Sequence, residues 1–288
     1  MMATDRDYEK FSWKMVFLLF TVLVVYSCQQ GDKRGGETGT MSSSVMPPEG
    51  DDAFIDITGP AGINFKHTIG DHHLSNLVES VGGGAAFFDY DQDGYLDLYL
   101  VNGSHNGDLS DQEDELDYRP VNELYRNLGD GSFEETTKRA KVGDDGYGMG
   151  VTIGDFDNDG YPDIYVSNYG PNKLFRNKGD GSFEDVSKKT GVAGNETSVG
   201  AVWFDYDNDG HLDLYVGNYV KRPIETNLKR TTDGFPSYPG PLDFEPDVDF
   251  LFRNEGDGTF SDQSAAAGVS QLATTSMGTI AGDFDDDG

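Results

Sequence analysis

Residues 89–97 read DYDQDGYLD, and this nine-residue pattern recurs as DFDNDGYPD at residues 155–163 and as DYDNDGHLD at residues 205–213. A fourth copy begins at Asp283. Aspartate stands at positions one, three, five and nine of each complete copy. Glycine at position six permits a sharp bend, because it tolerates positive φ. Repetition of a whole unit is the signature of a repeat architecture, so these loops decide the fold.

A second unit follows each complete loop. It reads LYRNLGDGSFEE from Leu124, LFRNKGDGSFED from Leu174 and LFRNEGDGTFSD from Leu251. Gly-Asp-Gly between two short apolar runs is a hairpin-turn signal. Ala85–Phe88 is a compact apolar run before the first loop, and residues 96–101 alternate with the period of a strand after it. We therefore predict an all-β fold, a β-propeller whose blades have four short strands each, incomplete in this chain.

The aspartate-rich loops have the composition of calcium sites. Ca²⁺ takes about six to eight oxygen ligands, and each loop offers four carboxylates together with the carbonyl of position seven. Carboxylates held this close repel each other by about 1–4 kcal/mol per pair, and a divalent cation reverses that repulsion. Mg²⁺ is a poorer candidate because it demands tighter octahedral geometry. We predict Ca²⁺ as the cofactor, with these ligands: Asp89, Asp91, Asp93, Tyr95, Asp97; Asp155, Asp157, Asp159, Tyr161, Asp163; Asp205, Asp207, Asp209, His211, Asp213; and Asp283, Asp285, Asp287.

Two other interpretations of the loops fit the sequence less well. An EF-hand needs a bidentate glutamate at position twelve and flanking helices. Position twelve is Leu100, Val166 and Val216 in the three copies, and the flanking segments have strand character. A plain Asp-Gly turn that binds nothing would explain one loop, but it does not explain aspartate at four fixed positions in three copies.

The motifs resemble the FG-GAP/VCBS repeats of integrin-α-type propellers. The match is closer to the cartilage acidic protein family and its bacterial relatives, through residues 54–67, the GGGAAFFDYDQDG run from Gly82, and the YPGP insertion from Tyr238 that runs into LFRNEGDGTF. The resemblance covers residues 54–288. It implies a propeller, usually of seven blades, with calcium in its loops and a role in adhesion or matrix binding outside the cell. The chain stops inside the fourth loop, so we interpret it as an N-terminal fragment.

The first 28 residues have the pattern of a lipoprotein signal peptide. Lys10 and Lys14 precede the 12-residue apolar run Met15–Tyr26, which is short for a membrane span. The run ends at VYSC, which resembles a lipobox and implies lipidation of Cys28. Residues 29–50 are polar and rich in Gly and Ser, as in a flexible linker. We expect a surface lipoprotein of the bacterial outer membrane, or alternatively a periplasmic or secreted protein, with repeats over residues 51–288.

Composition narrows the function classes. The formal net charge is −31, and a surface this acidic repels nucleic acid and anionic lipid. The single cysteine, Cys28, allows no intrachain disulfide. His67, His72 and His73 lack the cysteine or glutamate partners of a zinc or general-base site. Gly82–Gly84 lacks the Lys of a phosphate loop. We therefore predict a protein that is not an enzyme.

Two further expectations concern partners. Arg126, Arg176 and Arg253 recur at equivalent positions, and we expect each to pair with a nearby aspartate. The insertions at residues 103–121 and 219–248 are the best candidates to bind an extracellular protein or carbohydrate, because loops of a propeller gather on one face. The second insertion carries Tyr219, Lys221, Arg222, Phe235, Tyr238 and Phe244. A non-catalytic part of a larger secreted polysaccharide-acting enzyme is the alternative function.

Overall fold

The structure of the chain is a computed structural model. The residues it describes belong to one compact unit, Val45–Gly288, and are 54–110, 116–224, 230–232, 235–237 and 239–283. The predicted signal peptide, linker and Cys28 lie outside these residues, as do Asp285 and Asp287. Within the described part, no helix has the length and apolar character needed to cross a bilayer.

Three four-stranded antiparallel sheets confirm the predicted blades. Blade 1 contains β1 (Ala85–Phe88), β2 (Asp97–Leu100), β3 (Glu123–Asn127) and β4 (Phe133–Glu135); blade 2 contains β5 (Tyr147–Gly154), β6 (Asp163–Tyr169), β7 (Lys173–Asn177) and β8 (Phe183–Asp185); blade 3 contains β9 (Ser198–Phe204), β10 (Asp213–Asn218), β13 (Phe250–Asn254) and β14 (Phe260–Asp262). Strands β11 (Arg230–Thr232) and β12 (Phe235–Ser237) pair with each other inside the second insertion. The described chain is therefore all-β, an incomplete propeller without a closed barrel.

The apolar cores lie between neighbouring blades. Tyr99 of β2 packs with Ile164 and Val166 of β6 between blades 1 and 2. Tyr165 points the other way and packs with Leu214 of β10 between blades 2 and 3. Because successive side chains of a strand point to opposite faces, one strand serves two cores. This explains why β6 is buried along its whole length.

The first strands of the blades approach each other at glycines. A β-carbon on Gly150 of β5 would lie 2.4 Å from the carbonyl oxygen of Val199 in β9. A β-carbon on Gly84, just before β1, would lie 3.1 Å from the Cα of Gly150. Strands can pack this closely only where no side chain stands between them. Gly84 thus allows close backbone packing at the start of β1.

Short helices follow the outermost strands, and the sequence pattern did not predict them. Single helical turns α1 (Thr137–Ala140) and α2 (Ser187–Thr190) come after β4 and β8. Three 3₁₀ turns cover Val78–Ser80, Pro241–Asp243 and Val269–Gln271. Segments of three or four residues are too short to show the apolar stripe by which a helix is recognised.

Several side chains of the two insertions pack inside the protein. Tyr219 and Ile224 of the second insertion and Leu109 of the first pack with Tyr147 and Tyr169 of blade 2 in a third buried cluster. Phe244 packs against the same cluster, while the side chains of Phe235 and Tyr238 are outside the described part. Tyr219 is only 2% exposed, so it stabilises the fold and cannot stack on a sugar.

Arg222 of the second insertion touches all three blades. Its guanidinium carbon lies 4.3 Å from the ring centroid of Tyr169 in blade 2. Its Nη1 donates to Oδ1 of Asn195 at 2.9 Å, and its Nη2 lies 3.0 Å from Oδ2 of Asp108 in the first insertion. The neighbouring Lys221 pairs with Glu245. The polar side chains of Lys221 and Arg222 are therefore paired with other residues of the protein, and Tyr219 is packed inside it.

Candidate metal centres

Each aspartate-rich loop is a tight turn tied together by its own carboxylates. In the first loop, Oδ1 and Oδ2 of Asp89 accept the N–H groups of Asp93 at 3.1 Å and Gly94 at 2.9 Å. Oδ1 of Asp93 accepts the N–H of Tyr95 at 3.0 Å. The loops that begin at Asp155 and Asp205 repeat these bonds at the same positions. Three sequence copies thus give one local structure.

The turns bring together the aspartates of positions one, three and nine. In each loop one carboxylate oxygen from each of the three residues lies within 4.8 Å of the others. The three groups are Asp89, Asp91 and Asp97; Asp155, Asp157 and Asp163; and Asp205, Asp207 and Asp213. Such a group of convergent anionic oxygens could hold a metal ion.

One arginine pairs with the aspartates of positions three and five in each loop. Nε of Arg126 lies 2.5 Å from Oδ2 of Asp91, and its Nη2 lies 2.6 Å from Oδ2 of Asp93. Equivalent pairs join Arg176 to Asp157 and Asp159, and Arg253 to Asp207 and Asp209. The predicted Arg–Asp pairing is confirmed. The positive charge of the arginine offsets part of the repulsion between the carboxylates, so a cation is not the only group that can do so. Three predicted ligands lie outside the groups of three aspartates and stay predictions: Asp93, Asp159 and Asp209.

Carboxylate oxygens in the first two groups lack a hydrogen-bond donor. Oδ1 of Asp91 and Oδ1 of Asp157 are buried and receive no bond from the described residues. An unpartnered buried acceptor costs about 1–3 kcal/mol. A cation among the three carboxylates would give these atoms a partner, and an all-oxygen, anionic donor set suits Ca²⁺. The residues present therefore fit a calcium ion.

The family comparison agrees with this geometry. The family model described as FG-GAP-like repeat matches residues 89–166 and 155–216, which begin and end on the loops and strands just described. Residues 89–216 therefore consist of FG-GAP-like repeats. No curated protein matches it. The closer resemblance to the cartilage acidic protein family stays a prediction.

The position-nine aspartates of the FG-GAP loops are fully buried. Oδ2 of Asp97 accepts the N–H of Tyr90 at 3.0 Å, and its Oδ1 accepts the N–H of Asn127 at 2.8 Å. Burial raises the pKa of Asp97 to about 6 and that of Asp163 to about 8, and it also raises the pKa of Asp213. The hydrogen bonds hold these carboxylates in place as candidate metal ligands. Without a cation, the charged carboxylate is destabilised because burial removes its solvation.

Position seven joins each FG-GAP loop to the hairpin of its own blade. The ring of Tyr95 lies against Gly129, where a β-carbon would come within 2.6 Å of the ring. Tyr161 covers Gly179 and His211 covers Gly256 in the same way. The backbone carbonyls of these residues remain predicted ligands.

The third and fourth loops differ from the first two. Asp207 is exposed, whereas Asp91 and Asp157 are partly buried. Asp283 is described and exposed, but it joins no group of metal-ligating side chains among the described residues. The fourth loop therefore stays a sequence prediction.

The histidines of the N-terminal segment form no metal site in the described chain. His67 packs against Gly83, whose β-carbon would lie 2.9 Å from Nε2, and burial lowers the pKa of His67. His72 and His73 lie at the surface.

Sequence reasoning missed the asparagine that ends the third strand of each blade. Asn127, Asn177 and Asn254 each donate their backbone N–H to the buried aspartate of their own blade, at 2.7–2.8 Å. Their recurrence after the arginine in every LYRN or LFRN unit was the available signal.

Proposed function

We propose that this FG-GAP repeat protein is an exported, calcium-stabilised β-propeller that serves as a binding or scaffold module. The observation that carries the calcium proposal is the repeated group of three aspartates whose oxygens lie within 4.8 Å. The buried, unpartnered Oδ1 atoms of Asp91 and Asp157 support it. A bound Ca²⁺ would supply positive charge and oxygen coordination to these groups.

Calorimetric titration of the metal-free chain with Ca²⁺ tests this proposal. We expect dissociation constants of about 10⁻⁴–10⁻³ M, as in other extracellular calcium modules. Asp91→Asn should bind one ion fewer than the wild type, because it neutralises one carboxylate of the first group. Asp130→Asn is the matched control, since Asp130 lies in an exposed turn and only accepts bonds from Ser132. A wild-type chain that takes up no Ca²⁺ would refute the proposal.

We propose binding as the role because FG-GAP propellers are generally non-catalytic and often bind partners. Extracellular protein or carbohydrate is the proposed partner class. The inward packing of Tyr219 moves the expected contact surface away from that residue and onto the exposed rims of the blades. Immobilised matrix proteins and glycans, presented with Ca²⁺ and with chelator, test this. Binding that is retained after the chain has been unfolded in urea would contradict a propeller-borne site.

Export through a lipid anchor is a separate part of the proposal. It is supported by the apolar run before Cys28 and by the lipobox-like VYSC. Expression in a Gram-negative host with labelled fatty acid should label the wild type and leave Cys28→Ser unlabelled. Equal labelling of both would refute lipidation at this position.

A further inference from the structure

We propose that the three metal centres are coupled to one another through a buried chain of hydrogen bonds in which Asn177 and Asn254 are the connecting residues. The inference rests on the proposed calcium function and extends it, because it concerns how one centre affects the next. It makes these asparagines positioning residues of neighbouring sites.

The first link joins the buried aspartates of blades 1 and 2. Oδ2 of Asp97 accepts the N–H of Tyr90 at 3.0 Å. The carbonyl oxygen of Tyr90 accepts Nδ2 of Asn177 at 2.9 Å. The N–H of Asn177 donates to Oδ1 of Asp163 at 2.7 Å. Only the backbone of Tyr90 and one asparagine therefore separate a ligand of the first centre from a ligand of the second.

The second link repeats the arrangement between blades 2 and 3. Oδ2 of Asp163 accepts the N–H of Phe156 at 3.0 Å, and the carbonyl oxygen of Phe156 accepts Nδ2 of Asn254 at 2.7 Å. The N–H of Asn254 donates to Oδ1 of Asp213 at 2.7 Å. The chain of bonds is unbroken from Asp97 to Asp213, and the asparagines and aspartates along it are buried.

A second set of bonds joins the loops at the surface. Gln92 stands between two aspartates of the first loop, and its Nε2 donates to the carbonyl of Gly160 in the second loop at 2.6 Å. Asn158 occupies the same position in the second loop and donates to the carbonyl of Gly210 in the third at 3.0 Å. Both residues have positive φ, 58° and 56°. Two hydrogen-bonded bridges therefore join each pair of adjacent loops. The buried bridge is donated by the asparagine of the later blade, and the exposed bridge is donated by the loop of the earlier blade.

This arrangement gives a physical reason for positive coupling. A cation that holds Asp97 also restricts the peptide of Tyr90, and through it the side chain of Asn177. Asn177 donates to Asp163, so part of the ordering needed by the second centre is already complete. When one binding event orders a group that another must order, the second binds more tightly without any large structural change.

Asn127 provides a matched control within the same chain. Its N–H donates to Asp97, and its Oδ1 accepts the N–H of Gly129. Asn177 makes the same two kinds of bond, to Asp163 and from Gly179. The difference is Nδ2, which in Asn127 reaches only Leu96 of its own blade within the described chain.

The test is a double-mutant cycle measured by calorimetric titration of the full chain with Ca²⁺. Asp91→Ala should remove the first centre and lower the affinity of the remaining centres at least about fivefold. When Asn177→Ala is also present, Asp91→Ala should still remove the first centre, but it should change the Ca²⁺ affinity of the remaining centres less than about twofold. In the Asn127→Ala background the fivefold effect should persist. Far-UV circular dichroism checks that each variant is folded.

The outcomes separate this inference from the proposed function. Calcium binding in which Asp91→Ala leaves the remaining affinities unchanged overturns the coupling alone. A cross-effect that persists in Asn177→Ala also overturns it. A wild type that binds no Ca²⁺ overturns both. If Asn177→Ala does not fold, Asn254→Ala replaces it, because it cuts the second buried link, from Asn254 to the carbonyl of Phe156. The effect of Asp91→Ala on the third centre should then fall below about twofold, and an undiminished effect on that centre refutes the proposed links.

Discussion

Asp163→Asn should stabilise the calcium-free protein, and saturating Ca²⁺ should cancel or reverse that gain. Burial raises the pKa of Asp163 to about 8, whereas the unfolded chain has an ordinary value of about 3.9. At pH 7 the folded protein therefore holds a proton that the unfolded chain has released, and this difference costs about 4 kcal/mol of stability. Asparagine carries no charge and removes that cost.

The gain is offset by a lost hydrogen bond. Asp163 accepts the N–H groups of Phe156 and Asn177, one on each oxygen. Asparagine has one acceptor oxygen, so one buried N–H would face an NH₂ group at a cost of about 1–3 kcal/mol. The net effect in chelator is a gain of about 1–3 kcal/mol. With Ca²⁺ at 100 times its Kd, the variant forfeits about 2.7 kcal/mol that the wild type gains at this centre.

Urea unfolding at pH 7, in chelator and in excess Ca²⁺, measures both effects. Asp180→Asn is the control in the same blade, because Asp180 lies in an exposed turn and accepts bonds from Ser182. In chelator, wild-type stability should fall as the pH rises from about 4 to about 8, since the folded state binds more protons across that window. An Asp163→Asn protein that is less stable than wild type in chelator would refute the reasoning.

Three further predictions concern the same elements. Chelation should lower the Tm of the wild type by about 10 °C, because three centres at tenfold excess of Ca²⁺ over Kd contribute about 4 kcal/mol; an unchanged melt in differential scanning fluorimetry would contradict a structural ion, and Mg²⁺ should restore little. Arg176→Ala should lower the Tm more in chelator than in Ca²⁺, since Arg176 is the counter-charge of Asp157; equal losses would contradict this. Gly150→Ala should destabilise by about 1–3 kcal/mol or more through its contact with Val199, while Gly278→Ala, with open space around it, should be nearly neutral in urea unfolding.

The local structure of the repeats was predictable from their sequence. The apolar run Ala85–Phe88 is β1 with those bounds, and the Gly-Asp-Gly turns separate the third and fourth strands as expected. Both signals are local, because strand period and turn chemistry need only a few adjacent residues. The pairing of Arg126 with the loop aspartates was predictable from its recurrence alone.

The contacts between distant residues were not predictable in the same way. The bond from Asn177 to the carbonyl of Tyr90 joins residues 87 positions apart, and no local pattern contains that distance. Asp91 joins the group of three and Asp93 does not, although both pair with Arg126, and no sequence pattern distinguishes them. The inward packing of Tyr219 could not be predicted, because aromatic residues are common both in protein cores and on binding surfaces.

The contacts of Arg222 link the three blades and should change how the blades unfold. Repeat proteins whose units contact only their neighbours behave as one-dimensional chains, and their ends can peel away singly. Arg222 adds an interaction between the first and third units, through Asp108, while it also lies on Tyr169 of the second. Loss of either flanking blade then removes a contact from the other. Such a next-nearest-neighbour tie favours loss of all three blades in a single transition.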